Sequence, residues 1–261
     1  ILRKCETEMF LGLSGTPDKS SKVESSICDN LKMKGLLGGV VYEITEKELE
    51  DRGVLAKSRV LLCTYKISLN GFYPNDYNEF IETAVFRNED RNYLIGCMAE
   101  SCRILGLRVL IMTRSRKHGK ILSNEFGFDF ISGDDDSYDR DVVRKRFCEG
   151  EGGQVAIVSE IWKKGITLPQ AQVLINITVG REESNVIQKR GRILGATASK
   201  SKALTIDIID MCEWYLSDQA YDRIAAYVKF TGETNIDMIE YGEDDEAFLH
   251  EFHEYLADWF K

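Results

Sequence analysis

The sequence predicts an α/β fold in which helices cover both faces of a parallel sheet. Two observations carry this. Short runs such as Val109-Leu110-Ile111-Met112 and Val155-Ala156-Ile157-Val158 are apolar throughout, as strands buried on both faces are. From residue 108 onward such runs alternate with longer charged stretches of helical period, the pattern of crossover helices. Right-handed crossovers then bring every strand's carboxyl end to one edge, where ligands of such sheets bind.

Met9 to Leu13 reads as a buried strand that Ser14-Gly15-Thr16-Pro17 ends in a turn. Residues 18–39 are polar, then glycine-rich around Gly35, Gly38 and Gly39. Val40 to Ile44 reads as a strand, and Thr45 as the N-cap of a helix that Gly53 stops. Val60 to Tyr65 is strand-like, and residues 66–78 form a loop. Helical character runs from about Asn78 to Leu105, interrupted by the charged cluster Arg87 to Arg91 and closed by Gly106. Strands are predicted at Arg108–Thr113, Phe128–Ser132, Gln154–Ser159, Gln172–Ile177 and Ala203–Ile209. Helices are predicted at residues 115–126, Ser137–Phe147, Ser184–Leu194, Trp214–Phe230 and Asp244–Lys261. The last carries Phe248, Phe252, Tyr255, Leu256 and Trp259 at helical spacing, a stripe that fits the core or a contact with the preceding lobe.

The chain of 261 residues is 43% hydrophobic, enough for a sizeable core. No apolar run approaches the ~20 residues that span a bilayer, and no signal peptide is visible. The chain starts at Ile1 and reads as a piece of something longer. Seven scattered cysteines form no Cys-x-x-Cys pair, which argues against zinc and for reduced thiols. Residues 231–261 hold ten acids against one lysine, so they carry the whole net charge of −9. Arg103 to Lys120, in contrast, holds six cations and no acid, and local charge governs phosphate binding.

The chemistry concentrates at Ser184–Leu194, where Lys189, Arg190 and Arg192 surround Gly191. Glycine inside a helix is costly, and it suits a backbone that must come close to a ligand. Guanidinium forks match phosphate oxygens. Taken alone, this run favours a solvated basic helix end.

The order of segments resembles the superfamily-two helicases, including the phage UvsW type and the XPB repair type. Leu11 to Pro17 resembles motif III, and Val40 to Ile44 with Gly53 to Ala56 the exit from the first motor lobe. Val109 to Thr113 resembles motif IV. Ile131 to Gly133, with Arg140 and Arg144 to Phe147, resembles segment IVa. Ser159 to Pro169 resembles motif V, and Gln188 to Arg192 motif VI. The resemblance covers most of residues 9–230. It implies a RecA-like second lobe over residues 59–230, the end of a first lobe over 1–58, and an acidic helical extension over 231–261.

It further implies ATP, with Mg²⁺, held between this lobe and a first lobe of the same protein. Arg192 stands where the family has its arginine finger, Gln188 where it positions the phosphate or attacking water. Gly165, Thr167, Gly191 and Arg190 would line the nucleotide. Ser14 and Thr16 would couple nucleotide state to lobe movement. Thr113, Arg114, Ser115, Gly133 and Ser159 would meet nucleic acid. Two departures stand out. The family's second motif VI arginine is Gly195 here, with Arg190 or Lys189 as possible substitutes. No P-loop or acidic box occurs in the chain, and Gly119-Lys120 lacks the flanking residues of one.

The expected activity is that of an ATP-dependent helicase or branch-migrating translocase on forked, branched or single-stranded DNA, without a membrane, the fragment alone being inactive. The expected setting is the cytoplasm of a bacterium or phage-infected host, or the nucleus of a eukaryote. A restriction-type translocase or RNA helicase of the same fold, or a catalytically dead lobe that only binds, fits the same residues.

Overall fold

The computed structural model describes residues 12–13, 24–68, 74–133, 135–159, 168, 170–180, 183–212, 215–242 and 244–261. Its strands are β1 (Lys57–Lys66), β2 (Arg108–Thr113), β3 (Asp129–Ile131), β4 (Gln154–Ser159), β5 (Val173–Asn176), β6 (Lys202–Met211) and β7 (Ile236–Glu240). They form one seven-stranded sheet in the order β3-β4-β2-β5-β6-β1-β7. Every pairing is parallel.

The helices are α1 (Glu24–Leu37), α2 (Glu46–Asp51), α3 (Tyr77–Ile81), α4 (Glu89–Ile104), α5 (Arg116–Phe126), α6 (Ser137–Glu149), α7 (Glu183–Leu194), α8 (Tyr215–Thr231) and α9 (Asp245–Phe260). Strand alternation divides the core between them. On β2, Val109 and Ile111 face one cluster with Leu94 and Met98 of α4, Leu122 of α5 and Phe252 of α9. Leu110 and Met112 face the opposite cluster with Phe147 of α6 and Ile193 of α7. Val60 and Leu62 of β1 continue that second face beneath Ala220 and Tyr227 of α8. Both faces of the sheet are therefore covered, as uniformly apolar strands require.

Local signals set the boundaries. Thr45 caps α2 with a reciprocal pair, its hydroxyl accepting from the Glu48 amide while Glu48 accepts from the Thr45 amide. Gly53 (φ 69°) and Gly106 (φ 79°) end α2 and α4 in the left-handed conformation that glycine adopts without penalty. The charged interruption at 87–91 is a real break. A π-helical run, Glu82–Phe86, precedes it, and Asn88 caps α4 by accepting from the Arg91 amide at 2.9 Å.

Two expectations are corrected, and one helix was not anticipated. Val40 to Ile44 is no strand: Val40, Val41 and Tyr42 are exposed, with no neighbouring strand among the described residues. Residues 24–37 form a helix that hydrophobic period could not reveal, because Ile27, Leu31, Met33 and Leu36 are all exposed. Residues 231–261 are no mere helical extension. They supply edge strand β7, and α9 buries Phe248, Phe252 and Leu256 in the main core. Met9–Leu11 of the first predicted strand lie outside the described residues, and Gly12 and Leu13 are not in a strand.

Candidate functional site

The carboxyl ends of β3, β4 and β2 lie side by side, with Ile131 opposite Val158 and Thr113 opposite Ser159. Four of the predicted nucleic-acid residues follow from this edge. Arg114 is exposed on the turn after β2, and Ser115 caps α5 by accepting from the His118 amide at 3.4 Å. Gly133 is half-buried beyond β3, after Ser132, whose amide donates to Asp135 at 2.5 Å. Ser159 is 1% exposed, and its hydroxyl oxygen is buried with no hydrogen-bond partner among the described residues. Thr113 plays a different part. It is fully buried, and its hydroxyl accepts from the Ser115 amide at 3.2 Å and donates to the Ser115 carbonyl at 3.3 Å. It therefore shapes the turn that presents Arg114.

Gly119 also finds its reason here. A Cβ at that position would lie 2.3 Å from the Phe130 ring, so the glycine lets α5 lie close against β3.

Helix α7 carries the second group. Gly191 is exposed, and a Cβ there would meet nothing within 4 Å. Among the described residues, neither packing nor backbone conformation demands a glycine at that place. Arg192, one residue on, is half-buried. Lys189 is pulled inward, its ammonium donating to Thr178 Oγ1 at 2.5 Å and reaching Asn176 Oδ1 at 3.5 Å. Arg190 is buried against Glu46 of α2 and Ser58 of β1, so in this structure it joins α7 to α2 and β1. Gly195 is half-buried, with open space around a Cβ built on it.

A buried polar frame sets the pose of α7. Asp207 on β6 accepts from Asn176 at 3.0 Å, Tyr227 at 2.8 Å and Arg223 at 3.3 Å. Burial, with the Asp207 charge next, raises the Tyr227 phenol well above its ordinary range and keeps it a donor. At the far end of α7, Lys200 is 2% exposed and donates to Ile193 O at 2.6 Å and Ala171 O at 3.1 Å. It satisfies a helix-end carbonyl and ties α7 to the segment before β5. Burial lowers its ammonium to about 8.

Residues 92–195 match the family described as helicase conserved C-terminal domain. That stretch runs from within α4 to the residue after α7 and is the part of the chain that is similar to the family. The chain's RecA-like sheet is also that of known structures. T4 UvsW shares 18% identity at a TM-score of 0.59, covering 83% of this chain and 50% of that one. Dbp5 of S. cerevisiae, bound to RNA and ADP BeF3, shares 15% at 0.59, covering 92% and 53%. A putative HsdR subunit of a type I restriction enzyme from Vibrio vulnificus YJ016 shares 15% at 0.55, covering 81% and 42%. The chain thus spans about half the length of these proteins, and at such identities they share its fold alone. No curated protein matches the sequence.

Of the predicted site residues, Ser14, Thr16, Gly165 and Thr167 lie outside the described residues, as does the side chain of Gln188. Sequence reasoning missed Glu46, Ser58, Asn176, Asp207, Arg223 and Lys200. Asp207 alone announced itself, as a carboxylate inside the apolar run Leu204 to Ile209. Among the described residues no helix is long and apolar enough to cross a membrane, and no three His, Cys, Asp or Glu side chains gather as a metal site.

Proposed function

We propose that this chain is the second motor lobe of an ATP-dependent DNA helicase or branch-migrating translocase. The observation that carries the reading is the exposed Gly191 beside Arg192 on α7, within the helicase domain match. The described residues do not need that glycine, and an outside group coming close to the helix would account for it. A nucleotide phosphate fits the place, and the open space over Gly191 is compatible with it.

Bound ATP supplies the phosphoryl group whose transfer drives the motor. Arg192 would offset charge that develops on that group, an effect worth ~10³-fold or more in rate. Gln188 would orient the attacking water. Mg²⁺ would be held by the triphosphate and by carboxylates of a first lobe. On the strand-end edge, Arg114 with Arg116 and Lys117 would contact backbone phosphates, giving salt-dependent, sequence-tolerant binding. The preference for DNA rests on the likeness of residues 40–56 to repair helicases and on T4 UvsW as a relative in fold.

The test is ATP hydrolysis and strand separation by the full-length protein, first lobe included, on DNA forks, Holliday junctions and RNA duplexes. DNA-stimulated turnover with fork or junction remodelling is expected. Stimulation by RNA alone would replace the DNA reading with an RNA helicase. Translocation without unwinding would favour a restriction-type motor, and no turnover on any substrate a binding lobe.

A further inference from the structure

Arg190 is 3% exposed, yet it sits on the helix that presents Gly191 and Arg192. One guanidinium nitrogen donates to Glu46 Oε2 on α2, and another donates to Ser58 Oγ on β1 at 2.6 Å. Ser58 in turn donates to Glu50 Oε1, from its hydroxyl at 2.6 Å and its amide at 3.1 Å. The remaining Nε of Arg190 is buried without a partner, so Glu46 supplies the countercharge. A cavity of 530 Å³ opens beside the pair, lined in part by Glu46, Glu50 and Lys57. Arg190 lines the cavity too, but its side chain is 3% exposed against 27% for Glu46.

Backbone bonds reinforce this junction. Ala56 N–H donates to Leu194 O at 2.8 Å, Ala196 N–H to Val54 O at 3.1 Å, and Lys57 N–H to Ser201 O at 2.9 Å. Residues 54–57 are thus stitched to the end of α7 and the segment after it. Immediately before Thr45 the situation reverses. Val40, Val41 and Tyr42 are 66%, 89% and 70% exposed, and Gly38 stands at φ 81° after α1.

We propose that Arg190 is a positioning residue that fastens α2 to α7, so that the chain from Thr45 onward moves with the second lobe and the hinge between lobes falls at Gly38–Ile44. The interlobe meaning rests on the helicase reading above, whereas the fastening itself does not. Because Arg192 lies two residues further along the same helix, a group seated against it shifts the helix that holds α2. The linker then follows the state of the nucleotide site. This assigns Arg190 to the linker rather than to the nucleotide.

Hydrogen exchange on the 261-residue chain tests the fastening without any activity. Arg190→Met and Glu46→Gln are each expected to speed exchange of the Arg52–Lys57 amides about tenfold, with the amides of β2, β4 and β5 unchanged. The double variant should be no worse than Arg190→Met alone, and the swap Arg190→Glu with Glu46→Arg should restore protection. Unchanged exchange at Arg52–Lys57 in both single variants overturns the proposal. So does equal acceleration throughout the sheet in the mild Glu46→Gln variant, which marks a general loss of structure. In the full-length protein, Glu46→Gln should lower kcat about tenfold or more while KM for ATP and nucleic-acid affinity stay within about twofold. A loss confined to KM overturns the linker role. If the wild-type protein shows no nucleic-acid-stimulated turnover, the helicase reading fails while the exchange result still decides the fastening.

Discussion

Arg91 is among the largest fully buried side chains among the described residues, and it shows what a single cation does inside this lobe. Its fork grips Asp210 at 2.6 and 2.9 Å and Ile177 O at 3.3 Å, joining α4 to the ends of β6 and β5. Removing one partner of such a pair strands the other in a dry interior, at a cost of about 3–5 kcal/mol. Arg91→Met and Asp210→Asn are each expected to lose that much unfolding free energy in urea, and Arg91→Met with Asp210→Leu less than the sum. Simple additivity would show that the two residues are not coupled. Arg192 is less enclosed, a half-buried cation beside an exposed glycine. Arg192→Ala in the full-length protein is expected to cut nucleic-acid-stimulated ATPase ~10³-fold with binding largely intact. Near-normal turnover would remove it from the finger role. Gly195→Arg should fold normally, because nothing stands within 4 Å of its Cβ. Which cations lie buried was not legible in the sequence. Lys189, Arg190 and Arg192 look alike in a linear run, and only partners 11 to 144 residues away separate them.

At the scale of elements, the alternation from β2 to β6 was legible because the long strands β2, β4 and β6 are buried almost throughout and charged helical stretches separate them. Helix α1 was not, since it buries no stripe against this lobe, and β7 was not, since Ile236-Asp237-Met238-Ile239-Glu240 is too short and acidic to stand out. The π-helical run Glu82–Phe86 has a role that no local pattern discloses. It carries Phe86, whose ring stacks on His118 of α5 at 5.1 Å, while His118 Nε2 meets Asn92 Oδ1 of α4 at 2.8 Å. Burial, with the Arg91 charge second, pushes the His118 imidazole down to about 3. The unfolded chain therefore binds a proton from about pH 6.5 downward that the folded chain refuses until about 3. Stability is complete above that window and falls as pH drops through it. Between pH 7 and 4.5 the wild type should lose about 2–3 kcal/mol more unfolding free energy than His118→Gln, which cannot titrate there. Equal losses in the two proteins would show that His118 is not held neutral.

At the scale of the whole molecule, the acidic carboxyl-terminal segment has a structural reason for its charge. A parallel sheet ends in two unpaired edges, and both are blunted here. Strand β3 has three residues, and β7 carries Asp237 and Glu240, with Arg59 on neighbouring β1 reaching Asp237 at 2.9 Å. Behind β7, α9 lays Phe248, Phe252 and Leu256 into the core while its acids face water. Burial of these three side chains contributes about 5–9 kcal/mol in all. A domain of this kind has only about 5–15 kcal/mol of net stability, so the lobe should not stand without them. Truncation after Thr231 is expected to give aggregated or molten protein, seen as dye binding and loss of cooperative urea unfolding. Phe252→Ala provides the graded case. It should fold, with a loss of about 3–5 kcal/mol, because the sheet and the rest of α9 close only partly around the cavity. A truncated chain that unfolds cooperatively at wild-type urea concentration would show that β7 and α9 decorate the lobe, and that the sheet through β1 is already complete.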